Sequence, residues 1–368
     1  MNARFHPGSF RDASTVSDPG TWREGRWQRF TPRPPVARTL RGRSVLLRPG
    51  LTFTPYANPT PCTARCAFCS EELLRYDASR LSARAVICDD DRYFAALSGA
   101  LRDLSGLDMG LSLSGLEATS RPDWLLRLLS VLDLPDLFRE RVLYTNGSGL
   151  CLDPRLIPAL AAARFDRIDM NRCHLDPHLN QRIMRFRPEQ PIRRAEYFMF
   201  IIKYMASYGL NTRLVCILNR QGVHDISGVE AYLDGAAALG VRRVVFRAMS
   251  ELGRLYHPSR ETAWIGQNRV DVRALMAQIW PGTSGATSEE SRNHWRFIGL
   301  TTGYYFYNEV YEYRGIEVTL EGSSYVAHDE AVRSGVVQKL VFHSTGALCG
   351  DWVPDAQFIA DYSRTPSS

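Results

Sequence analysis

Three cysteines, Cys62, Cys66 and Cys69, fall within the stretch "PCTARCAFCS" at residues 61–70. Their spacing is C-x3-C-x2-C, which brings three thiolates to one short loop. With eight cysteines in 368 positions, chance would produce this spacing on the order of 0.004 times. A disulfide would leave one thiol over. A structural zinc ion needs a fourth ligand to close its tetrahedron. The nearest C-terminal candidate, Cys88, has no partner at a useful spacing, and no second cysteine pair follows. Three thiolates on a four-iron cluster would instead leave one iron without a protein ligand, open to a substrate or cofactor.

Other residue types in the chain could do chemistry beside such a centre. "NRCHLDPHLN" (171–180) carries Cys173, His174 and His178. His174, at the end of a predicted strand, is a candidate acid or base; a loop histidine that only bonds backbone is the plainer alternative. Cys216 alternates with Leu214 and Leu218, as a buried small hydrophobe does. Its sharper reading is a reactive thiol that hands on a hydrogen atom, a role Cys349 could also fill. Arg247 is the best candidate for holding an anionic group, with Arg213 behind it. Several strands show a polar face, which is unusual in a buried parallel strand. Ser112 and Ser114 share one face, Asp169 and Asn171 another, and Arg243 and Arg247 a third. A small hydrophilic substrate would want such walls; ordinary ion pairs at strand ends are the alternative.

The elements that must position these residues alternate. Strand-like runs lie near 51–56, 109–114, 141–145, 167–171, 212–218 and 242–248. Helical patterns lie between them near 91–104, 122–132, 154–164, 191–207 and 224–239. Six strands with intervening helices predict right-handed βαβ units and a parallel sheet. The expected domain plan is an irregular arm over 1–45, an α/β core over 46–282, and an aromatic-rich α+β extension over 283–368 that caps the core. Within the extension, 294–320 reads as short antiparallel strands and 339–352 as a hairpin around "STG".

Hydrophobic residues make up 45% of the chain, enough for a sizeable core. The net charge of +6 comes almost wholly from arginine, because Lys203 and Lys339 are the only lysines among 45 basic residues. No basic stripe with interleaved aromatics is present, so a nucleic-acid partner is not expected. No apolar run approaches the roughly 18–20 residues of a membrane span, and the N-terminus lacks the apolar core of a signal peptide. The expected location is the cytoplasm.

On these residues the chain resembles the radical S-adenosylmethionine superfamily. That family carries C-x3-C-x2-C on the loop after the first strand of a partial barrel, with an aromatic before the third cysteine; here that is Phe68. "SGLEAT" (114–119) stands where the family has a Gly-Gly-Glu-Pro-like motif, with Gly115 and Glu117 kept and Leu116 and Ala118 departing. "YTNGSGL" (144–150) is similar to the family's Thr-Asn-Gly strand end. The resemblance covers roughly residues 50–250. It implies a partial (β/α)6 barrel with a C-terminal α+β extension. It also implies a [4Fe-4S] cluster on Cys62, Cys66 and Cys69, with S-adenosyl-L-methionine bound at the open iron. Reductive cleavage would give a 5′-deoxyadenosyl radical that abstracts hydrogen from the substrate. An external electron donor such as flavodoxin or ferredoxin is implied as partner. Gly115 would let backbone approach the methionine ammonium, Glu117 would fix that ammonium or a ribose hydroxyl, Phe68 would pack against adenine, and Asn171 would contact ribose. The expected substrate is a small polar molecule, a sugar or nucleoside intermediate of natural-product biosynthesis that is decarboxylated, epimerised or dehydrated, as in cytosylglucuronate decarboxylase. The alternatives are a radical enzyme acting on a peptide or macromolecule, and a non-enzymatic iron–sulfur or zinc module.

Overall fold

Eight parallel strands, six of them consecutive in the chain, form the middle of one large sheet. The structure is a computed structural model that describes residues 9–12, 33–73, 85–134, 136–252, 256–280, 294–353 and 356–364. The chain opens with β1 (Ser9–Asp12), β2 (Val36–Leu40) and β3 (Arg43–Tyr56). Helices and strands then alternate through α1 (Asp90–Asp103), β4 (Met109–Leu113), α2 (Pro122–Val131), β5 (Arg141–Thr145), α3 (Ser148–Leu152), α4 (Leu156–Ala162) and β6 (Arg167–Asn171). They continue with α5 (Pro177–Met184), α6 (Ala195–Ser207), β7 (Thr212–Leu218), α7 (Ile226–Ala238) and β8 (Arg243–Ala248). The last part holds α8 (Arg260–Asn268), α9 (Val272–Ile279), β9 (Trp295–Thr302), β10 (Phe306–Tyr313) and β11 (Ile316–Ser323). It ends with α10 (Tyr325–Arg333), β12 (Val336–His343), β13 (Ala347–Cys349) and β14 (Phe358–Asp361).

Strands β3 to β8 lie side by side in chain order, each parallel to the next. Local chemistry explains the helices between them. Asp89, Asp176 and Asp225 each accept a backbone N–H at the start of α1, α5 and α7, satisfying donors the helix itself leaves unpaired. Pro122 opens α2, where its missing N–H costs nothing. Each helix lays an apolar stripe on the sheet; on α1 it is Tyr93, Phe94, Leu97 and Leu101, all buried. On β6, Ile168 and Met170 pack into the apolar core, while Arg167, Asp169 and Asn171 share the opposite face. Alternation along a strand allows one sheet to carry an oily face and a charged one.

The C-terminal part joins this sheet rather than forming a separate layer. β11 pairs in parallel with β8, and β10, β9 and β1 continue that edge antiparallel. β12 pairs in parallel with β3 at the other edge, followed by β13 and β14. Both edges expose unpaired N–H and C=O groups, which attract further strands. The chain therefore passes from one edge to the other between Ser323 and Val336, and α10 is that crossing. Arg247 and Glu321, and Arg243 and Glu317, stand opposite each other and pair across β8 and β11.

The irregular arm is corrected where it is described: residues 36–40 and 43–56 form an antiparallel hairpin. Arg41 and Gly42 hold positive φ at its turn, the backbone twist that two-residue hairpins need. Ser9–Asp12 pairs with β9. The remainder of the arm, and the expected boundary at 282–283, lie outside the described residues. Among the described residues, no helix is long and apolar enough to cross a membrane.

Candidate active site

The cysteine loop leaves the C-terminal end of β3 and is stitched to its neighbours by backbone bonds. Arg65 N–H donates to the Arg185 carbonyl (3.1 Å), Ala67 N–H to Ile183 (2.9 Å) and Arg187 N–H to Thr63 (3.1 Å). The end of α5 is thus a clamp on residues 63–67. Side chains from the next strand ends complete the hold. Asn146, just past β5, reaches Thr63 Oγ1 (3.1 Å) and approaches Cys62 Sγ (3.8 Å). Thr63 and Ser148 hydroxyls bond at 2.7 Å, and Asn58 donates to the Glu117 carbonyl at 2.6 Å.

Cys62, Cys66 and Cys69 all border one cavity of about 1900 Å³, together with Phe68. All three are free thiols of intermediate burial. Burial pushes Cys62 up to about 12, helped by Glu117, and Cys69 up to about 11. Cys66 lies well above the usual thiol range, through burial and then the neighbouring Cys69 and Cys62. Ligation would have to displace these protons, and a cationic centre would supply the positive charge that burial withholds from the thiolates. Among the described residues no three His, Cys, Asp or Glu side chains stand close enough to ligate one common ion. A single zinc with 2.3 Å bonds to sulfur needs sulfurs about 3.8 Å apart. A four-iron cluster binds each thiolate through a different iron and takes a wider set, so the three residues fit the cluster better than the ion.

The turn after β4 is built around Glu117, which is 1% exposed. One oxygen accepts from the Thr119 N–H (3.2 Å), Thr119 Oγ1 (2.6 Å) and Thr145 Oγ1 (2.5 Å); the other accepts from Asn146 N–H (2.6 Å). Glu117 therefore caps the short turn Ala118–Ser120 and locks the ends of β4 and β5 together. Burial raises its pKa, opposed by those bonds. Gly115 has φ +82°, and a Cβ there would lie 2.1 Å from the Tyr56 ring, so the ring already requires the glycine. Leu116, which departs from the glycine of the resembled motif, still holds φ +50°. The backbone keeps a glycine-like shape at a cost of about 1–2 kcal/mol. Gly149 packs closer still: an added Cβ would sit 1.6 Å from the Thr119 carbonyl oxygen. Because that oxygen is backbone, Gly149→Ala should destabilise the fold by about 3 kcal/mol, the upper end for overpacking. The urea midpoint reads this, and an unchanged midpoint would mean the turn is free to move.

Part of the cavity wall carries polar side chains. Ser112 and Ser114 line it and bond each other at 3.1 Å. Tyr144, Asn171, Arg247 and Tyr305 line it as well. Below them, Asp169 is gripped by Arg213 (2.8 and 2.5 Å) and Arg167 (2.9 Å), and Arg167 also holds Glu140 (2.8 Å). Although burial opposes ionisation, the two arginines hold Asp169 below its ordinary value. The ion-pair alternative therefore describes Asp169, and Arg213 is occupied rather than available to a carboxylate. Arg247 faces the cavity but is corrected in the same sense, because Glu321 pairs with it across the strand.

Two further candidates match their plainer alternatives, a buried small hydrophobe and a histidine that bonds backbone. Cys216 is fully buried, donates to the Cys173 carbonyl at 3.2 Å and does not border the cavity; Ile217 takes that place on β7. Both faces of β7 are apolar at this level, so its sequence did not reveal the phase. His174 also stays away from the cavity. Its Nδ1 accepts from the Asp176 N–H at 3.0 Å, and burial lowers its pKa. Cys349 is buried in β13 and does not border the cavity. Gly115, Glu117, Phe68 and Asn171 all border it. Sequence reasoning flagged the motif that holds Tyr144 and Asn146 without giving either a role, and missed a group from the C-terminal part, Tyr304, Tyr305, Tyr325 and Lys339. Tyr144 alternates with Val142, a signal that was legible. The C-terminal group reaches the cavity only through the edge strands and α10.

No protein-family model matches the chain, and no curated protein matches it. Among solved structures, Streptococcus suis SuiB bound to S-adenosylmethionine is 18% identical with a TM-score of 0.40, covering 58% of this chain and 42% of that one. Native anSMEcpe with bound AdoMet is 11% identical with a TM-score of 0.48, covering 86% and 78%. The radical S-adenosylmethionine methyltransferase TsrM from Kitasatospora setae, with tryptophan and a SAM analog bound, is 18% identical with a TM-score of 0.37, covering 55% and 36%. The chain thus spans less than two thirds of the length of SuiB and about a third of that of TsrM.

Proposed function

We propose that the protein is a radical S-adenosylmethionine enzyme built on a partial (β/α)6 barrel. One observation carries the reading: three thiols at C-x3-C-x2-C spacing, on the loop that leaves the C-terminal end of β3, border one large cavity walled in part by the parallel strands. Cys62, Cys66 and Cys69 would hold three irons of a [4Fe-4S] cluster and leave the fourth open. When bound, the cluster and S-adenosyl-L-methionine supply a 5′-deoxyadenosyl radical that takes a hydrogen atom from the substrate. Phe68 would flank the adenine and Asn171 would meet a ribose hydroxyl; both border the cavity. Glu117 has its carboxylate committed to the strand ends, so its contribution is to hold the turn that shapes the site. An external electron donor such as flavodoxin or ferredoxin would serve it.

Two substrate readings have support. The polar wall of Ser112, Ser114, Tyr144 and Asn171 favours a small hydroxylated molecule, a sugar or nucleoside. The cavity would hold the cluster and S-adenosyl-L-methionine as well as the substrate, so its volume, above the roughly 300–1,000 Å³ usual for a small-molecule site, leaves room for a peptide side chain presented on its backbone without selecting it. Anaerobic reconstitution tests the enzyme class: about four irons and reductant-dependent 5′-deoxyadenosine are expected, and their absence would sink it. Deuterium transfer into 5′-deoxyadenosine from labelled sugars, nucleosides or peptides then selects the substrate. Removing residues 1–40 is a poor discriminator, because it strips two strands from the sheet.

A further inference from the structure

A second cluster of titratable side chains borders the same cavity, outside the cysteine loop. Lys339 on β12 and His328 on α10 are 8% and 7% exposed, and both line the cavity. Lys339 Nζ lies 2.8 Å from His328 Nε2. An ammonium has donors only, so while Lys339 is charged this imidazole nitrogen must accept. His328 is then neutral, with its proton on Nδ1, which faces Asp329 Oδ1 at 3.5 Å. Burial first, and then Lys339, lowers the His328 pKa, which agrees with a neutral ring. The Lys339 ammonium also sits 5.0 Å from the centre of the Trp352 ring, a cation–π distance. The rings of Tyr304 and Tyr305 stand 5.8 Å from that of His328. Charged and titratable groups facing the pair include Asp329 on α10, Glu71 on the turn Ser70–Glu72, Asp351 after β13, and the phenols of Tyr304, Tyr305 and Tyr325.

In this chain arginine carries nearly all the positive charge, and lysine occurs twice. What lysine offers and arginine does not is a proton it can lose in a buried setting. We propose that Lys339 is the proton-exchanging group of the cavity and that His328 is its positioning residue. Its ammonium gives one proton to a basic oxygen of the bound substrate and becomes the neutral amine. In the other direction the amine takes one proton from an acidic O–H. No electrons move in either step. His328 holds the ammonium through Nε2 and sets the pH at which it lets go. The role rests on reading the cavity as a substrate site.

The test uses the two lysines as their own control, since Lys203 is exposed on α6. The full chain is treated with formaldehyde and cyanoborohydride from pH 6 to 10, and methylation of each lysine is followed by mass spectrometry. Lys339 should be labelled despite its burial, with a pH curve distinct from that of Lys203. His328→Phe keeps a ring but removes the acceptor, so the Lys339 curve should move about one pH unit lower. His328→Gln restores an acceptor and should move it back. The Lys203 curve should stay fixed throughout. The proposal is overturned if Lys339 is never labelled, or if its curve ignores both substitutions. These readings need neither cluster nor substrate. A negative result here therefore stays distinct from failure of the radical reading, which 5′-deoxyadenosine formation decides.

Discussion

Cys62→Ala, Cys66→Ala and Cys69→Ala should each form no 5′-deoxyadenosine after anaerobic reconstitution, while unfolding at the wild-type midpoint. Each thiol would be the only protein bond to one iron, so no neighbour substitutes for it. The fold should survive because the loop is held by the backbone bonds of Arg65, Ala67 and Arg187, which the substitutions leave untouched. All three side chains are of intermediate burial, so little packing is lost. Cys216→Ala is the counterpart: Cys216 lies in the core and away from the cavity, and 5′-deoxyadenosine formation should be unchanged. Full cleavage activity in Cys66→Ala would defeat the assignment of the centre.

The second large effect concerns stability. Asp169 has no exposed side-chain area and lies between Arg167 and Arg213. Asp169→Ala would leave two guanidinium groups in the interior with too few partners. Breaking one member of such a buried set typically costs about 3–5 kcal/mol, read as a lower urea midpoint with the slope unchanged. Burial alone would raise the Asp169 pKa, but Arg213 and Arg167 outweigh it and hold the folded value down. The unfolded chain then binds the proton more readily than the folded one. The stabilisation is complete above the unfolded carboxylate value of about 3.9 and fades as pH falls through the lower folded value. Asp169→Asn should flatten this acid limb of the stability curve. An acid limb identical to wild type would show that other carboxylates account for it.

The sequence was most legible where periodicity is local. The strands β4 to β8 fall within a residue or two of the runs at 109–114, 141–145, 167–171, 212–218 and 242–248, because short β-branched runs between capped helices leave few alternatives. The cysteine loop was legible from spacing alone. The roles of Cys216, His174 and Arg247 were illegible for a shared reason: each depended on where a side chain points and what it meets. Cys216 sits at the apolar end of β7, and Arg213, which marks the charged face, lies three residues before it on the other face. His174 finds a backbone partner two residues on. Arg247 meets Glu321, a residue 74 positions away. The Lys339 corner was illegible because it requires β12 to pair with β3 and α10 to span the gap, and pairings at that separation leave no mark on the local pattern.

The same pairing has a consequence for biosynthesis. β12 completes the edge of β3 by setting residues 336–343 beside residues 46–56, so nearly the whole chain must leave the ribosome first. Until then the edge of β3 stands bare, beside a loop of reactive thiols. Late closure of this kind slows folding and leaves an incomplete sheet prone to association during synthesis. It also leaves the thiol loop in the open while the rest of the chain is made.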